Sequence, residues 1–328
     1  MSSQKSLTRR FLGFLVFLAV GAIVTYAVVQ YKQPILDRVR AQSYQPSEMA
    51  SQLRKDLKLT DEGTLYFDAS ETALQSSSTF NQSCQQQKET KNPILGCYYL
   101  QKIYVYDITN KKLDGIEQTT AAHEVLHAAY ERLSDSERNA IDMQLQRVYK
   151  SINNTDLQER MAYYEKTEPG EEANELHSIL GSEFATLSPE LEEHYRQYFT
   201  DRQVIVSYYQ QYDAVFSSVQ EKLARQLQAI NDGIDQLNRD IAQYNVDVKN
   251  LEADIAAYQR QTYTSQAASD AEFNRLKALE DQYNQRAKDI NLDIQRINQL
   301  KRERNELVKE YNSLNQSINS SIEPTPSL

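Results

Sequence analysis

Two histidines and a glutamate stand at the spacing of a metal site, in the segment His123-Glu124-Val125-Leu126-His127. Residues four apart on an α-helix project from the same face, so both imidazoles can reach one ion. Zinc binds neutral imidazole nitrogens, acidifies a bound water and polarises a carbonyl group. Glu124 would lie beside the ion, where its carboxylate can accept a proton from water. The segment therefore predicts a zinc site with Glu124 as general base.

The neighbours of this motif favour a functional site over an ordinary helix. Residues 120–122 and 128–130 flank it, and all of them are uncharged. A chance match on an exposed helix would more often have charged neighbours. The chain contains four histidines, and two of them belong to the motif. We therefore interpret HEVLH as a metal site, although so short a motif also occurs by chance.

The stretch TTAAHEVLHAAYERL, preceded by the predicted strand QKIYVYDI, resembles the zincin metallopeptidases over about residues 101–200. One zincin subgroup extends the motif to HExxHxxGxxH. Tyr130 and Leu133 occupy the positions of its glycine and last histidine, so this subgroup is excluded. In the gluzincin subgroup the third ligand is a glutamate on a downstream helix. The resemblance therefore implies a peptidase of the gluzincin type.

The same resemblance assigns the third metal ligand to Glu175, in the segment NELHS. The rivals are Glu183, expected two helical turns further on the same face, and Glu172 or His177. Glu183 could instead orient a ligating histidine by a hydrogen bond. Larger gluzincins place an aspartate four residues after the glutamate ligand, and Ile179 occupies that position here. The histidines must then be oriented by other residues.

A peptidase also needs a hydrogen-bond donor for the oxyanion that develops during hydrolysis. His177 is the candidate that the sequence offers for this role, with Tyr163, Tyr164 and His194 as alternatives. The chain contains 22 tyrosines, so any one of them is more often a packing residue than a catalytic one.

Local patterns predict the elements that must position these residues. The predicted elements are a helix near 47–58, a strand at 101–108, a helix at 118–133 that carries the motif, a helix near 135–151 capped by Ser134, an acidic helix near 171–186 and a helix opened by Pro189. Together they predict an α+β, zincin-like catalytic domain over residues 48–203, mainly helical with a small sheet.

Residues 11–29 form an uncharged stretch long enough to cross a hydrocarbon core as a helix. A short basic tail at 1–10 stays inside more easily than a large acidic domain. We therefore expect a single-pass membrane anchor at 11–30, a cytoplasmic N-terminus and a catalytic domain outside the cytoplasm. Residues 31–47 would be a juxtamembrane linker. The alternative is a signal peptide that is cleaved.

The chain contains two cysteines, Cys84 and Cys97. A pair of cysteines outside the cytoplasm forms a disulfide by default, and this one would close a loop of low apolar content. The alternative is two unrelated thiols, which gains weight if the catalytic domain faces the cytoplasm.

Glycine is scarce after residue 204, and apolar residues recur at alternating steps of four and three from Leu223 to Tyr258. This is the heptad pattern of a coiled coil. A weaker pattern follows over 276–318 after a polar break. The two patterns predict a long antiparallel coiled-coil hairpin at 204–320. The alternative is one long helix that dimerises in parallel.

Charge and organisation limit the functions that the chain can have. The net charge of −10 argues against a nucleic-acid partner. We expect a membrane-anchored zinc metallopeptidase that hydrolyses a protein or peptide. Its coiled coil would bind a protein partner or a second copy, and residues 321–328 would form a disordered tail. The alternative is a membrane-tethered coiled-coil scaffold with a non-catalytic zincin-like domain. The intact Glu124 argues against it, since a structural zinc site needs no general base.

Overall fold

The structure is a computed structural model that describes residues 17–18, 20–21, 25, 31–84 and 94–320. The chain divides into two compact units. One comprises Met1–Val215 and Asn315–Leu328, and the other comprises Phe216–Leu314. The first unit therefore continues past residue 203, where the sequence patterns place the end of the catalytic domain. The fold belongs to the α+β class and is mainly helical.

Helices make up most of the first unit. Its helices in chain order are α1 (31–43), α2 (Glu48–Asp56), α3 (Asp61–Ala69), α4 (Ser77–Ser83), α5 (Ile116–Arg132), α6 (Asp135–Ser151), α7 (Thr155–Thr167), α8 (Glu172–Glu183), α9 (Pro189–Tyr195) and the start of α10 (Arg202–Arg260). The predicted helices at 118–133, 135–151 and 171–186 correspond to α5, α6 and α8. Ser134 caps α6 in a reciprocal capping box with Glu137, as its sequence predicts.

A three-stranded sheet lies against the helices. Its strands are β1 (Ala73–Gln75), β2 (Gly96–Tyr99) and β3 (Lys102–Tyr106). The central strand is β3, which pairs in parallel with β1 and antiparallel with β2. The predicted strand at 101–108 corresponds to β3, and β2 is left at one edge of the sheet.

Helix α5 lies at the centre of the core, between the sheet and α8. Leu126 of α5 is fully buried, as is Ile179 of α8. At Gly181 of α8, an added Cβ would lie 2.4 Å from Leu126 Cδ1. The glycine therefore lets α5 and α8 approach closely beside the metal motif. This close packing brings side chains of α8 up to the motif.

Residues 31–43 form helix α1, which packs on the other helices of the first unit. The sequence had suggested a linker for this segment. Asp37 of α1 accepts hydrogen bonds from Arg132 at the end of α5, with distances of 2.9 Å from Nε and 2.8 Å from Nη2. The two side chains are only 3% and 4% exposed. This buried ion pair anchors α1 to the helix that carries the metal motif.

The predicted disulfide is confirmed. Cys84, at the end of α4, is bonded to Cys97 of β2, with a Cα–Cα distance of 6.0 Å. Both cysteines are buried with Phe80 in a small apolar cluster. The bond therefore ties the edge strand of the sheet to α4. Residues 85–93, between the two cysteines, lie outside the described part of the chain.

The second unit consists of the part of α10 from Phe216 onwards and of α11 (Gln266–Ile318) as far as Leu314. Near the turn, Arg275 is paired with Asp254 at 2.9 Å. Far from the turn, Gln220 donates a hydrogen bond of 2.9 Å to Tyr311. The residue of α10 that comes earlier in the sequence therefore contacts the residue of α11 that comes later. The two helices run antiparallel, as expected for a hairpin.

The prediction of a single-pass membrane protein is corrected. A membrane-spanning helix needs about 20 consecutive, mostly apolar residues. Within the described residues, no helix has the length and apolar character to span a bilayer. Most of the predicted anchor at 11–29 lies outside those residues, as do the predicted tails at 1–10 and 321–328. The localisation expected from the sequence therefore has no support.

Replacing Asp37 by alanine should destabilise the first unit by about 3 kcal/mol, because Arg132 would keep its charge in a buried place without a counter-ion. The free energy of unfolding can be measured in urea by near-ultraviolet circular dichroism of the buried tyrosines. Glu193→Ala is the matched control, since it breaks the exposed pair with Arg196 and should change stability by less than about 0.5 kcal/mol. Equal effects of the two substitutions would contradict the role given to α1.

Candidate metal centre

Two helices bring three predicted ligands together. His123 and His127 project from one face of α5, and Glu175 faces them from the first turn of α8. The Nε2 atoms of the histidines are 3.0 Å apart. Carboxylate oxygens of Glu175 lie 3.6 Å from Nε2 of His123 and 3.5 Å from Nε2 of His127. These three ligand atoms can surround one metal ion.

The donor set fits a metal ion of the zinc type. Oε2 of Glu175 is buried and has no hydrogen-bond partner among the described residues. Leaving a buried neutral polar group without a hydrogen bond costs roughly 1–3 kcal/mol of stability. A charged oxygen costs more than this unless a cation or a hydrogen-bond donor contacts it. Two imidazoles and one carboxylate are ligands that zinc binds, and three protein ligands leave a position for water or substrate. The group could therefore hold an ion with an open coordination site.

Electrostatics favour a charged Glu175 and a less acidic Glu124. Burial alone would raise the pKa of Glu175, but the neighbouring His127 and His123 outweigh it and lower this pKa to about 2. Burial raises the pKa of Glu124 above its usual value, and the two histidines oppose the shift only in part. Glu175 is thus a carboxylate ready to bind a cation, while Glu124 accepts a proton more readily than an exposed glutamate.

Asn174 orients one of the histidines. The Nδ1–H group of His127 donates a hydrogen bond of 2.9 Å to Oδ1 of Asn174. The Asn174 amide donates in turn to Glu171, at 3.0 Å. With its proton on Nδ1, His127 presents the lone pair of Nε2 to the site. Asn174 therefore supplies the orientation that an aspartate at the position of Ile179 provides in larger gluzincins, and nothing in the sequence singled it out.

A cavity of about 270 Å³ opens over the three ligands. Its walls come from residues 94–96, from α5, α7 and α8, and from Tyr212 near the start of α10. Residue 212 belongs to the segment predicted as coiled coil, so the cavity takes one wall residue from beyond the predicted catalytic domain. Glu124 also lines this cavity, beside the ligands.

Gly96 brings the edge strand against Glu124. An added Cβ at Gly96 would lie 2.5 Å from Thr120 Cγ2 and 2.6 Å from Oε1 of Glu124. No larger side chain fits there without displacing the glutamate. The carbonyl of Leu95 accepts a hydrogen bond from Tyr106 of β3. Because the pairing direction alternates along an antiparallel strand, the backbone groups of Gly96 point away from β3, towards the side of β2 that pairs with no strand of the described residues.

The rival glutamates lie outside the group of three ligands. Glu183 lines the cavity, but its two oxygens accept hydrogen bonds of 2.6 and 2.8 Å from the guanidinium group of Arg160. Glu172 accepts a hydrogen bond from the backbone of Gly170, at the start of α8. Neither residue therefore takes the place given to Glu175, and Glu183 orients an arginine rather than a histidine.

The structure places His177, the predicted oxyanion donor, outside the cavity wall. His177 is fully buried, and its Nε2 lies 2.8 Å from Nε2 of His194. Its ring packs against Tyr195 in the core and does not line the cavity. Of the three alternatives, Tyr163 and Tyr164 line the cavity and His194 does not. They are the candidates among the predicted residues that can still reach a substrate.

The comparisons with known proteins give no relative. No protein-family profile, no curated protein and no solved structure matches the chain. The likeness of the chain to the zincins is therefore one of motif and spacing alone.

Glu175→Ala should weaken zinc binding by about 100-fold or more, because it removes the single anionic ligand of the group. Affinity can be measured by competition with a chromophoric chelator. Glu172→Ala, three residues earlier on the same helix, should leave affinity unchanged. Equal zinc affinity in both variants would show that Glu175 does not bind the ion.

Asn174→Ala should weaken zinc binding by about 10- to 100-fold while leaving one ion per chain, because His127 loses the partner that orients its ring. The same chelator competition gives the affinity, and circular dichroism checks the fold. An Asn174→Asp variant keeps a hydrogen-bond acceptor and should bind zinc close to normally. Wild-type affinity in Asn174→Ala would remove Asn174 from the account.

Proposed function

We propose that the protein is a zinc-dependent peptidase of the gluzincin type, with a zincin-like catalytic domain. The observation that supports this most strongly is the position of Glu175. Its carboxylate reaches from a second helix to within 3.6 Å of both histidines of the HEVLH motif. The sequence separates Glu175 from the motif by almost fifty residues, so a chance match to the motif does not account for this meeting.

His123, His127 and Glu175 would hold the ion. When bound, zinc acidifies water and polarises the carbonyl group of a peptide bond. Glu124 lies next to His123 in the sequence and lines the same cavity. Its carboxylate accepts a proton from the attacking water and can return it to the leaving amine. The raised pKa of Glu124, caused by its burial, suits both halves of this role.

The edge strand would bind the peptide substrate. The backbone of Gly96 faces the open edge of the sheet beside Glu124, where an extended peptide can pair with it by main-chain hydrogen bonds. Such pairing would place a peptide bond of the substrate over the ligands without selecting its side chains. The disulfide of Cys97 holds this strand in place.

The rival function is a scaffold with a zinc site that is not catalytic. Glu124 distinguishes the two. A structural zinc site is closed by four protein ligands and needs no general base, whereas the site here has three ligands among the described residues, an adjoining cavity and a glutamate in its wall. These features favour hydrolysis.

Glu124→Gln should retain one zinc ion per chain and lower peptide hydrolysis by at least about 100-fold, because the amide cannot accept a proton. Cleavage of a diverse peptide library, followed by mass spectrometry, provides the assay. Glu131→Gln is the matched control on the same helix. Glu131 accepts a hydrogen bond from the Tyr98 hydroxyl and does not line the cavity, so this variant should stay active. Absence of cleavage by the zinc-loaded wild type would favour the scaffold.

A further inference from the structure

One cation lines the cavity, and the proposed chemistry does not use it. Arg160 of α7 is the single lysine or arginine among the described residues that form the cavity wall. The other titratable side chains of the wall, tyrosines aside, are glutamates and the two ligating histidines. Placing a guanidinium group in a cavity costs desolvation free energy, and the group is not needed to hold zinc. Its presence there therefore points to another role.

Glu183 fixes the position of this arginine. The two are joined by a pair of hydrogen bonds, Nη1 to Oε2 at 2.6 Å and Nη2 to Oε1 at 2.8 Å. The Glu183 side chain is only 8% exposed, whereas that of Arg160 is 36% exposed. The buried carboxylate thus holds the guanidinium group from behind, and the arginine remains open to the cavity.

The guanidinium group keeps donors for a ligand. Arginine has five N–H donors in a planar group, and the pair with Glu183 uses two of them. Planar groups of this kind match a carboxylate in geometry and charge. Because Glu183 has already fixed the rotamer, a ligand would not have to order the side chain on binding.

The site lies close to the metal ligands without being part of them. Arg160 lines the same cavity as Tyr164 and the three ligands, and it does not belong to the group of three ligands. A group bound to Arg160 would therefore belong to a substrate residue near the scissile bond rather than to the bond itself.

We propose that Arg160 selects peptides that carry a carboxylate near the bond to be cleaved, either the free C-terminus or the side chain of an acidic residue. The inference deepens the proposed function and rests on it. Glu124, Glu168 and Glu175 make the rest of the wall repel such a group. Apart from the ion itself, Arg160 is the cationic side chain of the described wall that can stabilise the carboxylate, which would fix the direction and register of the peptide in the cleft.

Binding, rather than turnover, tests this proposal. The protein is the zinc-loaded full chain with Glu124→Gln, which keeps the ion and leaves peptides intact. One probe pair is N-acetyl-tetraalanine with a free C-terminus and the same peptide as its amide. The second pair is a set of N-acetylated tetrapeptide amides with a single Glu at each position in turn, against the same set with Gln. Affinities are measured by isothermal titration calorimetry.

At least one of these pairs should show a preference of about tenfold or more for the carboxylate, as expected for a charge-assisted hydrogen bond. The first pair identifies the C-terminus as the source, and the second identifies an acidic side chain. Adding Arg160→Gln should reduce the preference to less than about twofold and leave the affinity for the neutral peptides unchanged. Arg196→Gln, an exposed control, should keep the full preference.

Arg160→Gln leaves Glu183 buried without its partner, and this could disturb the fold. The double variant Arg160→Gln, Glu183→Gln removes both charges and should show the same loss of preference, with zinc content and circular dichroism unchanged. Equal binding of acid and neutral peptides before the substitution overturns the proposal, as does a preference that survives it. Failure of the proposed function would look different, because the preference would remain while the protein with Glu124 intact cleaves nothing.

Discussion

The approach of one carboxylate to two imidazoles governs the arrangement of the first unit. Glu175 is ionised, buried and short of a hydrogen-bond partner, and the histidines beside it outweigh the cost of its burial. This meeting requires α8 to lie close against α5, which Gly181 permits and the apolar residues around Leu126 stabilise. Asn174 then sets the proton position on His127. The apolar packing and the polar contacts thus both position the ligand atoms of His123, His127 and Glu175.

The other contacts of α5 hold its remaining sides. The pair of Asp37 and Arg132 fixes its C-terminal end to α1, and the sheet lies against its N-terminal half through Gly96. Cys97 ties that strand to α4. The ligand helix therefore forms one wall of the cavity, and the disulfide restrains the edge strand beside it. If the proposed hydrolysis is correct, this arrangement would hold Glu124 in a fixed position relative to the metal ligands.

The features that could be predicted from the sequence are those that depend on residues close together in the chain or on a simple rule of residue type. The i,i+4 spacing on α5, the cap at Ser134 and the cysteine pair depend on residues near one another in the chain or on one simple rule, and each prediction agrees with the structure. The helical period corrects one expectation, because Glu183 stands about 80° around the helix from Glu175 and so does not share its face. His177 stands about 200° around the helix from Glu175, on the opposite side. Contacts between distant segments had no local signal. Arg160 with Glu183, and α1 with α5, became visible only in the fold.

An anomalous difference map from crystals of the zinc-loaded protein, recorded on both sides of the zinc absorption edge, tests the central claim most directly. The account predicts one strong peak at coordination distance, about 2.0–2.2 Å, from Nε2 of His123, Nε2 of His127 and a carboxylate oxygen of Glu175. It also predicts a fourth position that no protein atom fills. A peak bound elsewhere, or one held by the two histidines without Glu175, would contradict the account.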